Sequence, residues 1–270
     1  MDQKINHHCA GFLSLIRQKR PLIHHITNMV VANDNANAML AIGASPVMAL
    51  SRLEVEEMTA QADALVLNLG TLNPEIVESC LLAGKAANRK GIPIVLDPVG
   101  AGATQFRTRS AKKILTEIKI SVLRGNAGEI AALLGEADTM RGVDSMPTRL
   151  SPSVLARSAS QNYGTVVGVT GKIDYISDGS RLFSVRNGHH LMTAVSGTGC
   201  MSSSLCGAFA TVDTDQVLTS VSALGFLGVC AEIAGKEAVG PGHFHSVLFD
   251  VMYNMNTKTL ASLLRIEVES

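Results

Sequence analysis

The chain has 270 residues and a mass of 28.4 kDa, enough for one large domain with a sizeable core, and a single domain over 1–270 is expected. Hydrophobic residues make up 46% and charged residues 17%, which excludes general disorder. The formal net charge is zero, which argues against a broad nucleic-acid surface or a polybasic membrane patch while leaving room for a local basic pocket.

In chain order, residues 9–19 read as an opening helix stopped before Pro21, and 22–26 as a short strand containing His24 and His25. Small and apolar residues at helical spacing (Ala32, Ala36, Met39, Leu40) predict a helix over 30–42 with Gly43 as its stop. A strand over 45–50 and a Glu-rich helix over 53–60 follow. The run 64–69 reads as a buried strand ending in Gly70-Thr71, and 74–89 as a helix capped by Asn73 with Pro74 in its first turn. A strand over 92–96 ends in Asp97-Pro98-Val99-Gly100-Ala101-Gly102. A helix over 108–118 leads to a strand over 121–123, a loop over 124–128 and a helix over 129–134.

Beyond a helix over 153–162, a strand over 165–169 ends at Thr170-Gly171-Lys172. Two short runs, 173–177 and 181–185, flank Asp178-Gly179 and predict an antiparallel hairpin. From Gly197 onward the chain reads as helix: 200–210, 216–235 and 244–263, with Pro241 between the last two. The most membrane-like run, 217–234, is broken by Thr219, Ser220, Ser222 and Glu232 and reads as a buried helix. The stretch 1–11 has no apolar core of signal-peptide length. Five cysteines, odd in number and widely spread without a CxxC, fit reduced thiols in a cytosolic protein.

Strand–helix alternation with short Gly-bearing turns predicts an α/β fold with a mainly parallel sheet covered by helices. The hairpin would extend this sheet at one edge, and the C-terminal helices would close one face. Ligands of such sheets sit outside the carboxyl ends of the strands. The chemically capable residues fall there. Asp97 and Glu129, at neighbouring strand ends, suit a hydrated Mg²⁺; the alternative is a capping Asp and a solvated first-turn Glu. Arg124, at the end of a buried strand, suits a polyphosphate or a salt bridge to a carboxylate. Thr170 and Gly171 could place a hydroxyl and an open backbone beside the same anion.

The stretch Ser196-Gly197-Thr198-Gly199-Cys200 places a Gly-Thr-Gly turn before a helix, where free amides and the helix dipole favour an anion. Cys200 at the helix head is expected to have a lowered thiol pKa, as a base or nucleophile, or else to be a small apolar residue. The pairs His24-His25 and His189-His190 read as structural rather than metal-binding. Neither a G-x-x-x-x-G-K-[ST] loop nor a G-x-G-x-x-G fingerprint is present, so any nucleotide is bound by another arrangement.

The motifs in order resemble those of hydroxyethylthiazole kinases, members of the ribokinase-like superfamily: His25-Ile26-Thr27-Asn28, Asn68-Leu69-Gly70-Thr71, Asp97-Pro98-Val99-Gly100-Ala101, Arg124-Gly125-Asn126 with Glu129, Val169-Thr170-Gly171, and Ser196 through Cys200. The resemblance runs from about Pro21 to the C-terminal helices. It implies a three-layer α/β/α fold and ATP-dependent phosphorylation of the primary hydroxyl of 4-methyl-5-(2-hydroxyethyl)thiazole in thiamine salvage. It further implies that Asn28, Met48 and Gly197 contact the thiazole, Arg124, Thr170 and Gly171 the ATP phosphates, and Asp97 and Glu129 the Mg²⁺. Gly197, Thr198 and Gly199 would supply amides to the transferring phosphoryl group. A cytoplasmic homotrimer with the thiazole site shared between subunits is implied as well. Sugar kinases of this superfamily carry an Asp where this chain has Cys200, so Cys200 either accepts the hydroxyl proton or mainly positions the hydroxyl. Competing readings are a kinase for a hydroxymethylpyrimidine, a nucleotide-dependent repair dehydratase, and a binding protein without turnover.

Overall fold

The computed structural model describes residues 2–136 and 150–269. Helix α1 (Asp2–Lys19) starts earlier than its sequence pattern suggests and buries Cys9, Phe12, Leu13 and Ile16. Its Arg17 donates to the carbonyls of Met255 (2.6 Å) and Tyr253 (2.9 Å), satisfying acceptors that a helix end leaves open. Strand β1 (Leu22–Ile26) leads to α2 (Ala32–Ile42), which stops at Gly43 as expected. Strand β2 (Ser45–Val47) is shorter than predicted, so Met48 lies beyond its end rather than in it. Then come α3 (Val55–Gln61), β3 (Ala64–Asn68) and α4 (Pro74–Lys90), whose Asn73 side chain accepts the Ile76 amide as the sequence implies.

Strand β4 (Ile94–Asp97) and α5 (Gln105–Glu117) are followed by β5 (Val122–Asn126). The loop expected over 124–128 does not exist: β5 runs straight into α6 (Ala127–Leu134). Asn126 accepts the Glu129 amide while the Glu129 carboxylate accepts the Asn126 amide, and this reciprocal cap turns strand into helix without a linker. Helix α7 (Pro152–Tyr163), β6 (Val166–Thr170) and the antiparallel pair β7 (Asp174–Ser177) and β8 (Leu182–Val185) follow.

A 3₁₀ turn over His190–Ala194 precedes α8 (Thr198–Phe209) and α9 (Gln216–Glu237). Helix α9 is long and apolar enough to span a membrane, yet 83% of its most apolar window is buried inside the fold, where it forms a core helix. The last helix predicted from sequence is two, α10 (Pro241–Asn254) and α11 (Thr257–Leu263), because Met255 is extended and Asn256 caps the Thr259 amide. Strand β9 (Ile266–Glu269), unforeseen in the sequence, closes the chain.

Among the described residues the strands form one nine-stranded sheet in the order β2-β1-β3-β4-β5-β6-β7-β8-β9. Pairings from β2 to β6 are parallel, and the last three are antiparallel. The predicted hairpin is therefore internal, and β9 is the edge. Alternation along each strand divides the core in two. Ile23, Val66, Val95, Val122 and Val166 face a core shared with α1, α2, α8, α9 and α10. Leu65, Leu67, Ile94, Leu96, Leu123 and Val167 face one shared with α4, α5 and α7. This is the three-layer α/β/α arrangement.

The same period places the polar residues. Asn68, Asp97, Arg124 and Thr170 each stand an even number of residues beyond an apolar residue of the α8 side: Val66, Val95, Val122 and Val166. In register, Asn68 lies beside Asp97 and Asn126 beside Thr170. Four strands thus present polar groups at their carboxyl ends on one face, below the first turn of α8.

Candidate active site

Gly197 caps α8 with φ +90, a backbone region that other residues adopt only under strain, and an added Cβ would stand 2.4 Å from Val31 Cγ1. Among the described residues no side chain caps this helix, so its first-turn amides remain open to an external acceptor. Gly199 lets the Arg124 guanidinium approach: a Cβ there would lie 3.2 Å from both terminal nitrogens. A cation beneath a helix N-terminus is unfavourable unless an anion joins them. The buried Arg124 Nε has no partner among the described residues, while its Nη2 donates to Thr170 Oγ1 and its Nη1 is 3.6 Å from Asp97 Oδ2. These features define an anion cradle.

Asp97 is fully buried. Its Oδ2 accepts Asn68 Nδ2 (2.8 Å) and Ser203 Oγ (2.8 Å), whereas its Oδ1 has no partner among the described residues. Burial raises its pKa, opposed by Arg124, Ser203 and Asn68. Glu129 is raised to about 7 by burial and by the Asp97 charge, with Arg124 opposing. Its carboxylate accepts the amides of Gly100 (2.9 Å) and Asn126 (2.8 Å). Two buried carboxylates, one raised by the other's charge and one with an unengaged oxygen, fit a divalent cation. Among the described residues no group of three or more His, Cys, Asp or Glu could cage a metal alone. Mg²⁺ does not require such a cage, since it keeps waters and takes phosphate oxygens.

Cys200 stands third in α8, and its surroundings overturn the expected pKa lowering. Burial, followed by the Asp97 charge, pushes the thiol up to about 11, outweighing donors from Asn68 and Asn28 and the Arg124 charge. Asn28 is buried two residues beyond β1, donates from Nδ2 to Asn68 Oδ1 (2.7 Å) and reaches Cys200 Sγ at 3.5 Å.

Some expected residues fall outside this network. Met48 is half-buried just past β2. Thr198 donates its hydroxyl to the Met192 carbonyl (2.9 Å), so only its amide faces the cradle. The Gly171 amide is already committed to Asp174 Oδ1 (2.9 Å). Conversely, Ser203, Asp174 and the bridging part played by Asn68 escaped the sequence reading. Asp174, raised to about 6 by burial, lies within reach of the Arg124 charge. The alternation of β3 could have found Asn68; Ser203 had no local signal, being set only by how α8 lies on β4.

His24 bonds Thr59 Oγ1 (2.9 Å) and the Ala49 carbonyl (2.8 Å), a structural arrangement. His25 is fully buried and pushed down to about 4 by desolvation. The unfolded imidazole takes a proton as pH falls through about 6.5, while the folded one stays neutral until about 4. Acidification through this window therefore destabilises the fold. Between pH 7.5 and 5, urea unfolding should show wild type losing about 2 kcal/mol more than His25→Gln. The comparison separates His25 from Glu129 and Asp174, whose raised values act in the opposite sense. Parallel pH profiles for the two proteins would refute the assignment.

The sheet and its carboxyl-end anion cradle define an α/β protein of ribokinase-like fold. A ribokinase-like superfamily protein from Enterococcus faecalis V583 shares that fold with a TM-score of 0.68 at 12% identity, covering 95% of this chain and 96% of the other. A structure of a hydroxyethylthiazole kinase protein from Pyrococcus horikoshii OT3 matches with a TM-score of 0.89 at 44% identity, covering 97% and 99%. The hydroxyethylthiazole kinase of Roseiflexus castenholzii is 50% identical over 262 residues, 97% of each chain. The model of the hydroxyethylthiazole kinase family matches residues 13–258, and the chain belongs to that family.

Proposed function

We propose that this chain transfers the γ-phosphoryl group of ATP to the primary hydroxyl of 4-methyl-5-(2-hydroxyethyl)thiazole, giving the phosphate ester and ADP. The observation that carries this reading is the convergence of Asp97, Arg124 and Thr170 beneath the open first turn of α8. Loose phosphoryl-transfer transition states need alignment and fixed positive charge more than covalent chemistry, and this site supplies both. Arg124 and Thr170 hold the phosphates. The amides of Thr198, Gly199 and Cys200 point at the group in transfer. Asp97 and Glu129 would hold Mg²⁺, which when bound would offset charge on the phosphates.

Asn28, Met48 and Gly197 line the alcohol's side. With its thiol held near 11, Cys200 is neutral at pH 7 and serves to position the hydroxyl rather than to strip its proton. A cytoplasmic setting agrees with five free cysteines, four of them buried. A trimer with shared sites agrees with the exposed apolar residues Met29 (82%) and Leu53 (91%) in the turns that follow β1 and β2.

The test is incubation with the thiazole alcohol and Mg-ATP, following the ester by mass spectrometry. Equimolar ester and ADP are expected. ADP formed only with a hydroxymethylpyrimidine, or saturable binding of the alcohol without turnover, would refute the proposal.

A further inference from the structure

The hydrogen bonds between β1, β3 and β4 have a direction. Gly70 and Val30 contribute backbone N–H groups, which only donate, and the Asp97 carboxylate accepts. The Gly70 amide donates to Asn68 Oδ1 at 3.0 Å, so Asn68 Nδ2 faces Asp97 Oδ2, at 2.8 Å. The Val30 amide donates to Asn28 Oδ1 at 3.1 Å, so Asn28 Nδ2 faces Asn68 Oδ1 at 2.7 Å and Cys200 Sγ at 3.5 Å. Turning either amide over would set N–H against N–H and oxygen against oxygen. Packing removes other rotamers: a Cβ on Gly70 would stand 2.5 Å from Asn28 Nδ2, so the turn after β3 presses on that amide.

We propose that Asn68 is a positioning residue of the phosphoryl-transfer site: it transmits the orientation imposed by the Asp97 carboxylate to the Asn28 amide, and together with that amide holds the Cys200 sulfur as a hydrogen-bond acceptor. Both protons of Asn28 Nδ2 are then spent inside the protein. The alcohol meets Asn28 only through the second lone pair of Oδ1, and meets Cys200 on the side of the sulfur turned away from Asn28. This face recognises a hydroxyl, which can donate, better than a ring nitrogen, which cannot. The inference rests on the proposed function in assigning the alcohol to Asn28 and Cys200; the relay itself does not depend on it.

The test uses the thiol as reporter. Cys9, Cys80, Cys206 and Cys230 are at most 1% exposed, so native-state alkylation by iodoacetamide reads Cys200, confirmed by peptide mapping. Asn68→Ala should slow alkylation at pH 8 about tenfold, because the amide that donates to sulfur is no longer held. Asn28→Ala should slow it less, since Asn68 also donates to the sulfur, and the double variant should be no slower than Asn68→Ala alone, since Asn28 acts only when Asn68 holds it. In turnover, Asn68→Ala should raise KM for the alcohol about tenfold and leave KM for ATP within twofold. If the truncated variant does not fold, Asn68→Asp, of the same shape, sets a carboxylate against Asp97 and should slow alkylation as well. Unchanged alkylation in a folded Asn68 variant, or effects of the two asparagines that multiply, would overturn the relay. A chain with coupled alkylation but no turnover of the thiazole alcohol would keep the relay and refute the substrate instead.

Discussion

Arg124→Ala is expected to lower kcat/KM for Mg-ATP by about 10³-fold, the scale of losing a preorganised donor to a transferring charged group. The guanidinium is buried, bonded to Thr170 and 3.6 Å from Asp97, with its Nε unengaged. Its removal takes away a side chain that sits both below the α8 amides and beside the carboxylates. It also withdraws the charge that holds down the pKa values of Asp97 and Glu129, so both carboxylates should bind protons more readily. Arg124→Lys separates charge from shape. It should recover much of the lost stability but little of the rate, because an ammonium cannot reproduce the planar fork. Steady-state kinetics with ATP varied, alongside thermal melting, check both. ATP kinetics within twofold of wild type in Arg124→Ala would remove Arg124 from the phosphate site.

Asp97→Asn is expected to abolish most Mg²⁺-dependent turnover, by about 10²-fold or more, and to destabilise the fold. The shape is retained, and the new amide oxygen can still accept from Asn68 and Ser203, whose bonds to Asp97 are both 2.8 Å. What is lost is the counter-charge of a buried arginine. Breaking a buried pair by removing one partner costs about 3–5 kcal/mol. For a chain of this size that corresponds to a fall in Tm of roughly 10 °C. Adding Arg124→Ala to Asp97→Asn should restore part of the stability, since the uncompensated cation is then gone, while activity stays absent. Mg²⁺ titration in the presence of ADP should show weakened binding. Wild-type Mg²⁺ affinity in a folded Asp97→Asn protein would contradict the metal assignment.

Much of this site could be read from residue order. Alternation of short apolar strands with helices, and the Gly-bearing turns after the strands, announced a parallel sheet with its chemistry at the carboxyl ends, and Asp97, Arg124, Glu129 and Thr170 do converge there. Errors arose where a distant contact outweighed a local rule. The run 124–128 looked like a loop because of its glycines, but the reciprocal cap of Asn126 and Glu129 lets strand become helix directly. Strand β9 has only four residues and no turn signal; it exists because β8 offers an open edge to pair with. Cys200 at a helix head suggested a thiolate, and burial close to Asp97 reverses that direction.

The sequence by itself determined the architecture and family of this protein, because hydrophobic period, helix caps and motif order are written along the chain and act over a few residues. Only the tertiary structure decided how the site residues are wired: that Asn68 stands between Asn28 and Asp97, that Ser203 reaches Asp97 across the α8 interface, and that Cys200 stays protonated. Strand order and helix placement bring together groups far apart in sequence. In a low-dielectric interior, what each group can do depends on those neighbours more than on its place in the chain.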